Sequence, residues 1–195
     1  RRVEVYATHL TNEDYVVGAS ALAASLQATG TARPLVALVT PGVGPAGRSA
    51  LRRAGWALVD VELVGLEGSD TQHARSFLSK IWLWALPADA VMYLDTDMLV
   101  LDSLDALFGL CGEAGGGAAL AAVPDSQPHA SGELMVQGGL LLLEPSQRRF
   151  AELYDWCSGG GRRRERLDDW AWHDQEFLTE YFDGGGGGAE GGARR

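Results

Sequence analysis

The stretch Val91–Leu101, V-M-Y-L-D-T-D-M-L-V-L, places two carboxylates one residue apart inside an apolar segment. Its first four residues are rich in β-formers and predict a short strand that is buried on both faces. Burying an unpaired carboxylate is costly, so acids in such a setting are usually paired, hydrogen-bonded or bound to a metal. If the strand ends near Asp95, then Asp95 and Asp97 lie at its carboxyl end, where open α/β sheets bind ligands.

The chemistry of Asp95 and Asp97 matches that of a site for a hard divalent cation. Carboxylate oxygens suit Mg²⁺ or Mn²⁺, and these ions keep open positions for the phosphate oxygens of a substrate. Asp-x-Asp is nevertheless a common spacing. On spacing alone, a strand-ending turn with two solvated acids is an alternative of about equal weight.

Composition and charge narrow the classes of function. The chain has 195 residues, 46% of them hydrophobic, which fits one globular domain with a substantial core. No apolar run is long enough to span a bilayer, and both the Golgi lumen, with a trimmed anchor, and the cytoplasm stay open as compartments. The formal net charge of −10 argues against nucleic acid or an anionic membrane as the main partner. An anionic phosphate substrate would therefore need a local counter-charge, which a divalent cation supplies.

Short apolar runs alternate with helical periodicity in the first third of the chain. Strand patterns occur at residues 3–8, 35–40 and 56–63, with helical patterns at residues 16–27 and 46–54 between them. This order predicts an α/β fold with a mostly parallel central sheet and helices on both faces. Thr11 or Asn12 suits the cap of the first helix, which would leave free backbone N–H groups at the carboxyl end of the first strand.

The rest of the chain is predicted as helices, strands and glycine-rich loops. Lys80 lies on a predicted helix at residues 75–86, and Asp125 follows a strand at residues 120–123. Gln137–Gly139 separate an edge strand at residues 133–136 from an apolar strand at residues 140–143. A helix is predicted at residues 147–157, and Asp174 and Gln175 occupy the first turn of another, where an acid is also an ordinary capping preference. Residues 184–195 are predicted to form a disordered tail or linker, which leaves residues 1–183 as one domain.

Taken together, these segments resemble the retaining sugar-nucleotide glycosyltransferases of family 8, the group that contains glycogenin and the plant glycogenin-like glucuronosyltransferases. The resemblance covers roughly residues 3–182 and rests on six motifs in the family's order. They are Y-A-T-H-L-T-N-E-D-Y-V-V-G, R-A-G-W, S-K-I-W-L-W, Y-L-D-T-D-M-L-V-L, Q-G-G-L-L-L-L-E-P-S and H-D-Q-E-F-L. E-P-S and R-A-G-W are more similar to the plant and algal branch than to animal glycogenin.

The resemblance implies a Rossmann-like glycosyltransferase fold of type A (GT-A) and a UDP-sugar donor, UDP-glucose or UDP-glucuronate. It implies that Mn²⁺ or Mg²⁺ binds Asp95 and Asp97 on the diphosphate, that the backbone of Thr96 lies near the ribose, and that Lys80 contacts phosphate or sugar hydroxyls. The residues implied to hold the uridine and ribose are Leu10, Thr11, Asn12 and Tyr15.

The same resemblance implies a pocket for the donor sugar. Asp125, Gln137 and Gly139 would line this pocket, Asp174 would bind sugar hydroxyls, and Gln175 would lie on the reacting face near the anomeric carbon. None of these residues is an obvious strong nucleophile. The interpretation favours same-face attack by the acceptor hydroxyl, with a leaving phosphate oxygen as the base.

Two departures from the family pattern keep alternatives open. Family members have Asn-Ser-Gly or Asn-Ala-Gly where this chain has Gln137-Gly138-Gly139. In the family, a histidine of an H-x-x-G-x-x-K-like motif after the last helix supplies a third metal ligand. The sequence up to residue 195 does not contain this motif. Either the domain continues beyond this sequence or the protein is a degenerate relative. The four histidines, His9, His73, His129 and His173, show no metal-binding spacing and are interpreted as surface or packing residues.

The resemblance leaves three functions to weigh. The first is a hexosyl- or glucuronosyltransferase whose acceptor is a glycan, a glycolipid or a protein, with a homodimer as an open assembly state. The second is a non-catalytic domain that binds a nucleotide sugar. The third, a nucleotidyltransferase, is the weaker hypothesis. Such an enzyme needs a glycine-rich, basic phosphate-binding loop after the first strand, and residues 9–15 do not form this pattern.

Overall fold

A seven-stranded sheet forms the centre of the protein in a computed structural model, which describes residues 2–64, 78–111, 119–128, 134–157, 174–183 and 193–194. The strands are β1 (Glu4–Leu10), β2 (Leu35–Val39), β3 (Trp56–Asp60), β4 (Ala90–Leu94), β5 (Leu120–Pro128), β6 (Leu134–Leu143) and β7 (Ala193–Arg194). Their order across the sheet is β3-β2-β1-β4-β6-β5-β7. The first four of these are mutually parallel, β6 runs antiparallel to β4 and β5, and β7 pairs parallel with β5.

Within the described ranges, four α-helices and three 3₁₀ helices accompany the sheet. The α-helices are α1 (Val16–Ala28), α2 (Pro45–Ala54), α3 (Gln147–Cys157) and α4 (Asp174–Asp183). The 3₁₀ helices are Glu13–Tyr15, Ser79–Ala85 and Asp105–Leu110. Gly55 ends α2 with φ 105°, a left-handed conformation that suits glycine. No helix in these described ranges has both the length and the apolar character that crossing a membrane requires.

The central strand β4 is buried on both faces, as its apolar run predicts. Val91 and Tyr93 belong to a core on one face, which α3, α4 and the 3₁₀ helix Ser79–Ala85 cover. Met92 and Leu94 belong to the core on the other face, which α1 and α2 cover. The predicted α/β architecture, with a mostly parallel sheet and helices on both faces, is therefore confirmed.

Three predicted elements differ from the structure. Strand β5 continues past residue 123 to Pro128, so Asp125 lies within the strand and not beyond its end. The two strands predicted around Gln137–Gly139 are one continuous strand, β6, because these residues stay extended while the carbonyl of Gly139 accepts from the backbone N–H of Asp95 at 2.9 Å. Most of the described part of the helix predicted at residues 75–86 forms the 3₁₀ helix Ser79–Ala85. This helix ends before Leu86, whose backbone is extended, as is favoured for a residue that precedes a proline.

Several predicted segments fall outside the described residues. These are residues 75–77 of the helix predicted at residues 75–86, residue 133 of the predicted edge strand, and residues 184–192 and 195 of the glycine-rich segment. Ala193 and Arg194 of that segment form β7.

Candidate active site

A pocket of about 290 Å³ opens at the carboxyl ends of the neighbouring parallel strands β1 and β4. This is the edge of the sheet at which the sequence placed Asp95 and Asp97. The residues that line the pocket are His9, Thr11, Tyr15, Lys80, Tyr93, Asp95, Thr96 and Asp97.

Lys80 is the buried centre of an ion cluster at this pocket, in which Asp174 is buried and Asp95 is half-buried. Its Nζ lies 3.1 Å from Asp95 Oδ1 and 2.6 Å from Asp174 Oδ2, and it donates to the carbonyl of Gly138 at 3.3 Å. Burial of Lys80, which is 6% exposed, disfavours its charge, but Asp174 and Asp95 outweigh that effect and raise the pKa of the ammonium. Lys80 therefore stays cationic and joins the end of β4, strand β6 and the first turn of α4.

Asp95 is fixed by three neighbours. Its backbone N–H donates to Gly139 on β6, and its Oδ1 accepts from the Tyr93 hydroxyl as well as facing Lys80. Burial first, and the negative charge of Asp95 second, raise the pKa of Tyr93 well above its ordinary value, so the phenol remains a hydrogen-bond donor. The Lys80 ammonium also lies 5.0 Å from the centroid of the Tyr93 ring.

Asp97 differs from Asp95 in its surroundings. It is exposed, and among the residues that the structure describes its carboxylate accepts no hydrogen bond and forms no ion pair. Thr96 between the two acids is buried, at 8% exposure. Across the described ranges, no group of three or more histidine, cysteine, aspartate or glutamate side chains is arranged to hold a metal ion.

The residues predicted to surround the donor sugar meet around strand β6. With the amide orientation assigned from its partners, Gln175 donates to Asp125 Oδ2 at 2.8 Å and accepts from the backbone N–H of Gly138 at 3.2 Å. Gln137 turns its Oε1 back onto β6, where it accepts from the backbone N–H groups of Gly139 at 2.8 Å and Leu140 at 3.2 Å. The first turn of α4 thus docks directly against β6.

Gly138 belongs to this group, although neither the residue pattern nor the resemblance predicted a role for it. A Cβ atom at this position would lie 2.6 Å from Asp174 Oδ2. The glycine therefore leaves the space in which Asp174 reaches Lys80. A glycine ahead of an apolar strand was the available signal, since it permits a close approach to the backbone.

The predicted nucleoside residues divide into two groups. Thr11 and Tyr15 line the pocket, and Tyr15 is 40% exposed. Leu10 is fully buried in the core, and Asn12 caps the 3₁₀ helix Glu13–Tyr15 by accepting from the N–H of Asp14 at 2.9 Å. The structure does not bring the side chains of Leu10 and Asn12 to the lining of the pocket.

His9 is a pocket residue that sequence reasoning missed. His9 is 8% exposed, and its buried Nε2 has no hydrogen-bond partner among the described residues. Burial, followed by the charge of Lys80, lowers its pKa to about 3, so the ring is neutral. The feature of the sequence that pointed to His9 was its position directly after the strand predicted at residues 3–8.

Comparison with known proteins identifies relatives over most of the chain. UDP-glucuronate:xylan alpha-glucuronosyltransferase 1 of Arabidopsis thaliana is 26% identical over 182 residues, which is 92% of this chain and 25% of the relative. Glycogenin-1 of Oryctolagus cuniculus is 31% identical over 114 residues, which is 54% of this chain and 34% of the relative. The chain is similar to these members of glycosyltransferase family 8. No family model matches it.

The chain also shares its fold with solved glycosyltransferases. The structure of the galactosyltransferase LgtC with donor and acceptor sugar analogues covers 97% of this chain at a TM-score of 0.64 and 20% identity, and the match covers 72% of the LgtC chain. The predicted GT-A fold is confirmed by this likeness. The chain spans about a quarter of the length of the Arabidopsis relative.

Proposed function

We propose that this chain contains the donor site of a metal-dependent, retaining glycosyltransferase. It would move a hexosyl or glucuronosyl group from a UDP-sugar to a hydroxyl of a glycan, glycolipid or protein. The observation that carries the proposal is the cluster of Lys80, Asp95 and Asp174 beside the exposed Asp97, at the carboxyl edge of the sheet. The names of the homologues support a UDP-sugar as the donor.

Asp95 and Asp97 are the residues that would hold Mn²⁺ or Mg²⁺. Two carboxylates in one pocket, one of them exposed and without a partner in the described ranges, fit a cation of this class. Such ions are commonly bound through one or two carboxylates, with substrate phosphates completing the shell. When bound, the cation would neutralise charge on the departing diphosphate.

The residues at the pocket mouth would bind the nucleoside. The ring of Tyr15 is partly exposed at the lining and offers a surface on which a base can stack. Thr11 lies beside it, with its backbone carbonyl held by the Thr40 hydroxyl at 2.8 Å. The cationic Lys80, deeper in the pocket, would contact a phosphate oxygen or a sugar hydroxyl.

The polar residues on β6 and α4 support same-face attack by the acceptor. The carboxylate of Asp174 is held by the Lys80 ammonium, which weakens it as a nucleophile, and Gln175 is a neutral amide held by Asp125 and Gly138. These groups would orient the sugar and stabilise charge that develops at the anomeric carbon. The leaving phosphate oxygen would then take the proton of the attacking hydroxyl.

One observation favours the alternative of a non-catalytic domain that binds nucleotide sugars. The Gln137 amide oxygen is engaged by the backbone of its own strand, at Gly139 and Leu140, and so is not free to accept from a sugar hydroxyl. Such a domain would bind UDP-sugar without releasing UDP.

The experiment that separates these functions measures UDP release from UDP-glucuronate and UDP-glucose in the presence of Mn²⁺. We expect release by the wild-type chain with one of these donors, and a drop of at least about 100-fold in Asp97→Asn, since loss of even an outer-shell metal partner costs about 10- to 100-fold. Asp155→Asn is the matched control, because it removes the same charge from an exposed position on α3. Donor binding without UDP release would select the non-catalytic domain.

A further inference from the structure

The phenol of Tyr93 lies directly beneath the first acid of the Asp95-Thr96-Asp97 segment. Tyr93 is 1% exposed, and its ring packs in the core between β4 and the 3₁₀ helix that carries Lys80. Its hydroxyl reaches the end of the strand and donates to Asp95 Oδ1. A buried ring that ends in a single polar atom thus supports one carboxylate oxygen of the pocket.

The two oxygens of Asp95 have different surroundings. Oδ1 receives the Tyr93 hydroxyl and faces the Lys80 ammonium at 3.1 Å. No residue in the described ranges donates a hydrogen bond to Oδ2. The two donors on Oδ1 fix the rotation of the carboxylate and leave Oδ2 available to a ligand.

Carboxylates that bind metal ions are themselves held by hydrogen bonds, and loss of such an outer partner typically costs about 10- to 100-fold in metal affinity. We propose that Tyr93 is a positioning residue that orients Asp95 for a divalent cation. The inference rests on the proposed function, since it assigns Tyr93 a role toward the metal of that site. Tyr93 begins the motif Y-L-D-T-D-M-L-V-L, but the resemblance implied no role for its side chain.

The protein contains a matched pair with the same chemistry and no place in the pocket. Tyr6 on β1 is fully buried, and its hydroxyl donates to Asp105 Oδ1 at 2.7 Å. Asp105 is the first residue of a 3₁₀ helix and also faces Arg33. Removing the Tyr6 hydroxyl therefore shows how the loss of a phenol–carboxylate hydrogen bond affects the fold without changing the pocket.

The test compares Mn²⁺ affinity in Tyr93→Phe, Tyr6→Phe and the wild-type protein. Tyr93→Phe removes the hydroxyl and keeps the ring on which Lys80 lies. We expect its dissociation constant for Mn²⁺, measured from the electron paramagnetic resonance signal of the free ion, to rise about 10- to 100-fold. Tyr6→Phe should bind Mn²⁺ as the wild type does, and circular dichroism checks the fold of each variant.

A double-mutant cycle distinguishes positioning from a general loss of structure. In the Asp95→Asn background the Tyr93 substitution should cost no further Mn²⁺ affinity, because the carboxylate through which it acts is gone. Equal affinity of Tyr93→Phe and wild type, or an equal loss in Tyr6→Phe, would overturn the inference and leave the proposed function standing. Absence of Mn²⁺ binding by the wild-type chain, with and without UDP, would overturn both.

Discussion

His9 shows how a single buried residue can set the charge of the pocket. His9 and Lys80 line the same pocket, and the buried Nε2 of His9 has no hydrogen-bond partner in the part of the chain that the structure describes. Because a second cation there would face Lys80 in a poorly solvated position, the neutral ring is favoured. His9 therefore adds no positive charge to the pocket. Among the described residues that line the pocket, Lys80 carries the positive charge.

The lowered pKa of His9 predicts a defined dependence of stability on pH. The folded value of about 3 lies below the ordinary 6.5, so the unfolded chain binds more protons between these two values. The contribution of His9 to the free energy of unfolding is therefore complete above about pH 6.5 and is lost as the pH falls toward 3, by up to about 1.4 kcal/mol per pH unit.

Two measurements check this prediction. Denaturant titrations should show a shallower loss of stability between pH 6.5 and 4 in His9→Gln than in the wild-type protein. In proton NMR spectra, one of the four histidine ring signals should stay constant from pH 5 to 8, and that signal should be missing in His9→Gln. A full set of histidine signals that titrate near pH 6.5 would contradict the account.

At the scale of elements, helix α1 packs onto the backbone of the Asp95-Thr96-Asp97 segment. Gly18 makes this approach possible, because a Cβ atom there would overlap the carbonyl oxygen of Thr96. The contact joins the helix after β1 to the segment after β4. The helix thereby holds the turn that spaces the two candidate metal ligands.

Gly18→Ala should therefore destabilise the protein although alanine is the better helix former. We expect the free energy of unfolding to fall by about 1–3 kcal/mol from overpacking, offset by up to about 1 kcal/mol of helix propensity. Mn²⁺ affinity should fall as well, because the displaced Thr96 lies between Asp95 and Asp97.

Gly109→Ala is the matched control for this substitution. Gly109 lies in a 3₁₀ helix, and a Cβ atom there would meet nothing within 4 Å. Denaturant titration should find this variant as stable as the wild type, with unchanged Mn²⁺ binding. A Gly18→Ala protein with wild-type stability and Mn²⁺ affinity would contradict the assigned packing.

The elements also show what sequence could and could not predict. The five-residue strand β4 and the helix α1 follow from local patterns, since every side chain of β4 is buried and five positions of α1 face the core. The continuity of β6 through two glycines could not be read locally, because it depends on pairing with β4 and on the contact between Asp95 and Gly139. The burial of Lys80 could not be predicted from the sequence either. Hydrophobic periodicity indicates which face of a helix is buried, but it does not indicate which residues a side chain contacts.

At the scale of the whole molecule, the order of strands decides which residues meet. Strand β6 lies next to β4 and runs antiparallel to it, which brings residues 137–139 to the end of β4 and α4 onto the same edge. Lys80, Asp95 and Asp174 come together only through this topology. The residues of the site could be predicted from the sequence, whereas the contacts between them depend on the order of the strands in the sheet.

The assembled site is strongly acidic, like the chain as a whole. The described part of the site contains four aspartates, Asp95, Asp97, Asp125 and Asp174, and one lysine, Lys80, in a protein of formal net charge −10. A diphosphate would be repelled by this arrangement unless a cation bound with it. The charge of the site therefore predicts that UDP binds only together with a divalent cation.

The most direct test is calorimetry of UDP binding with and without Mn²⁺, on the wild-type chain and on Asp95→Asn/Asp97→Asn. The double variant keeps the size of both side chains and removes two negative charges, so electrostatic repulsion alone would make it bind UDP better. We predict that the wild type binds UDP only with Mn²⁺ and that the double variant binds it in neither condition. Equal UDP binding without Mn²⁺, or tighter binding by the double variant, would contradict the account.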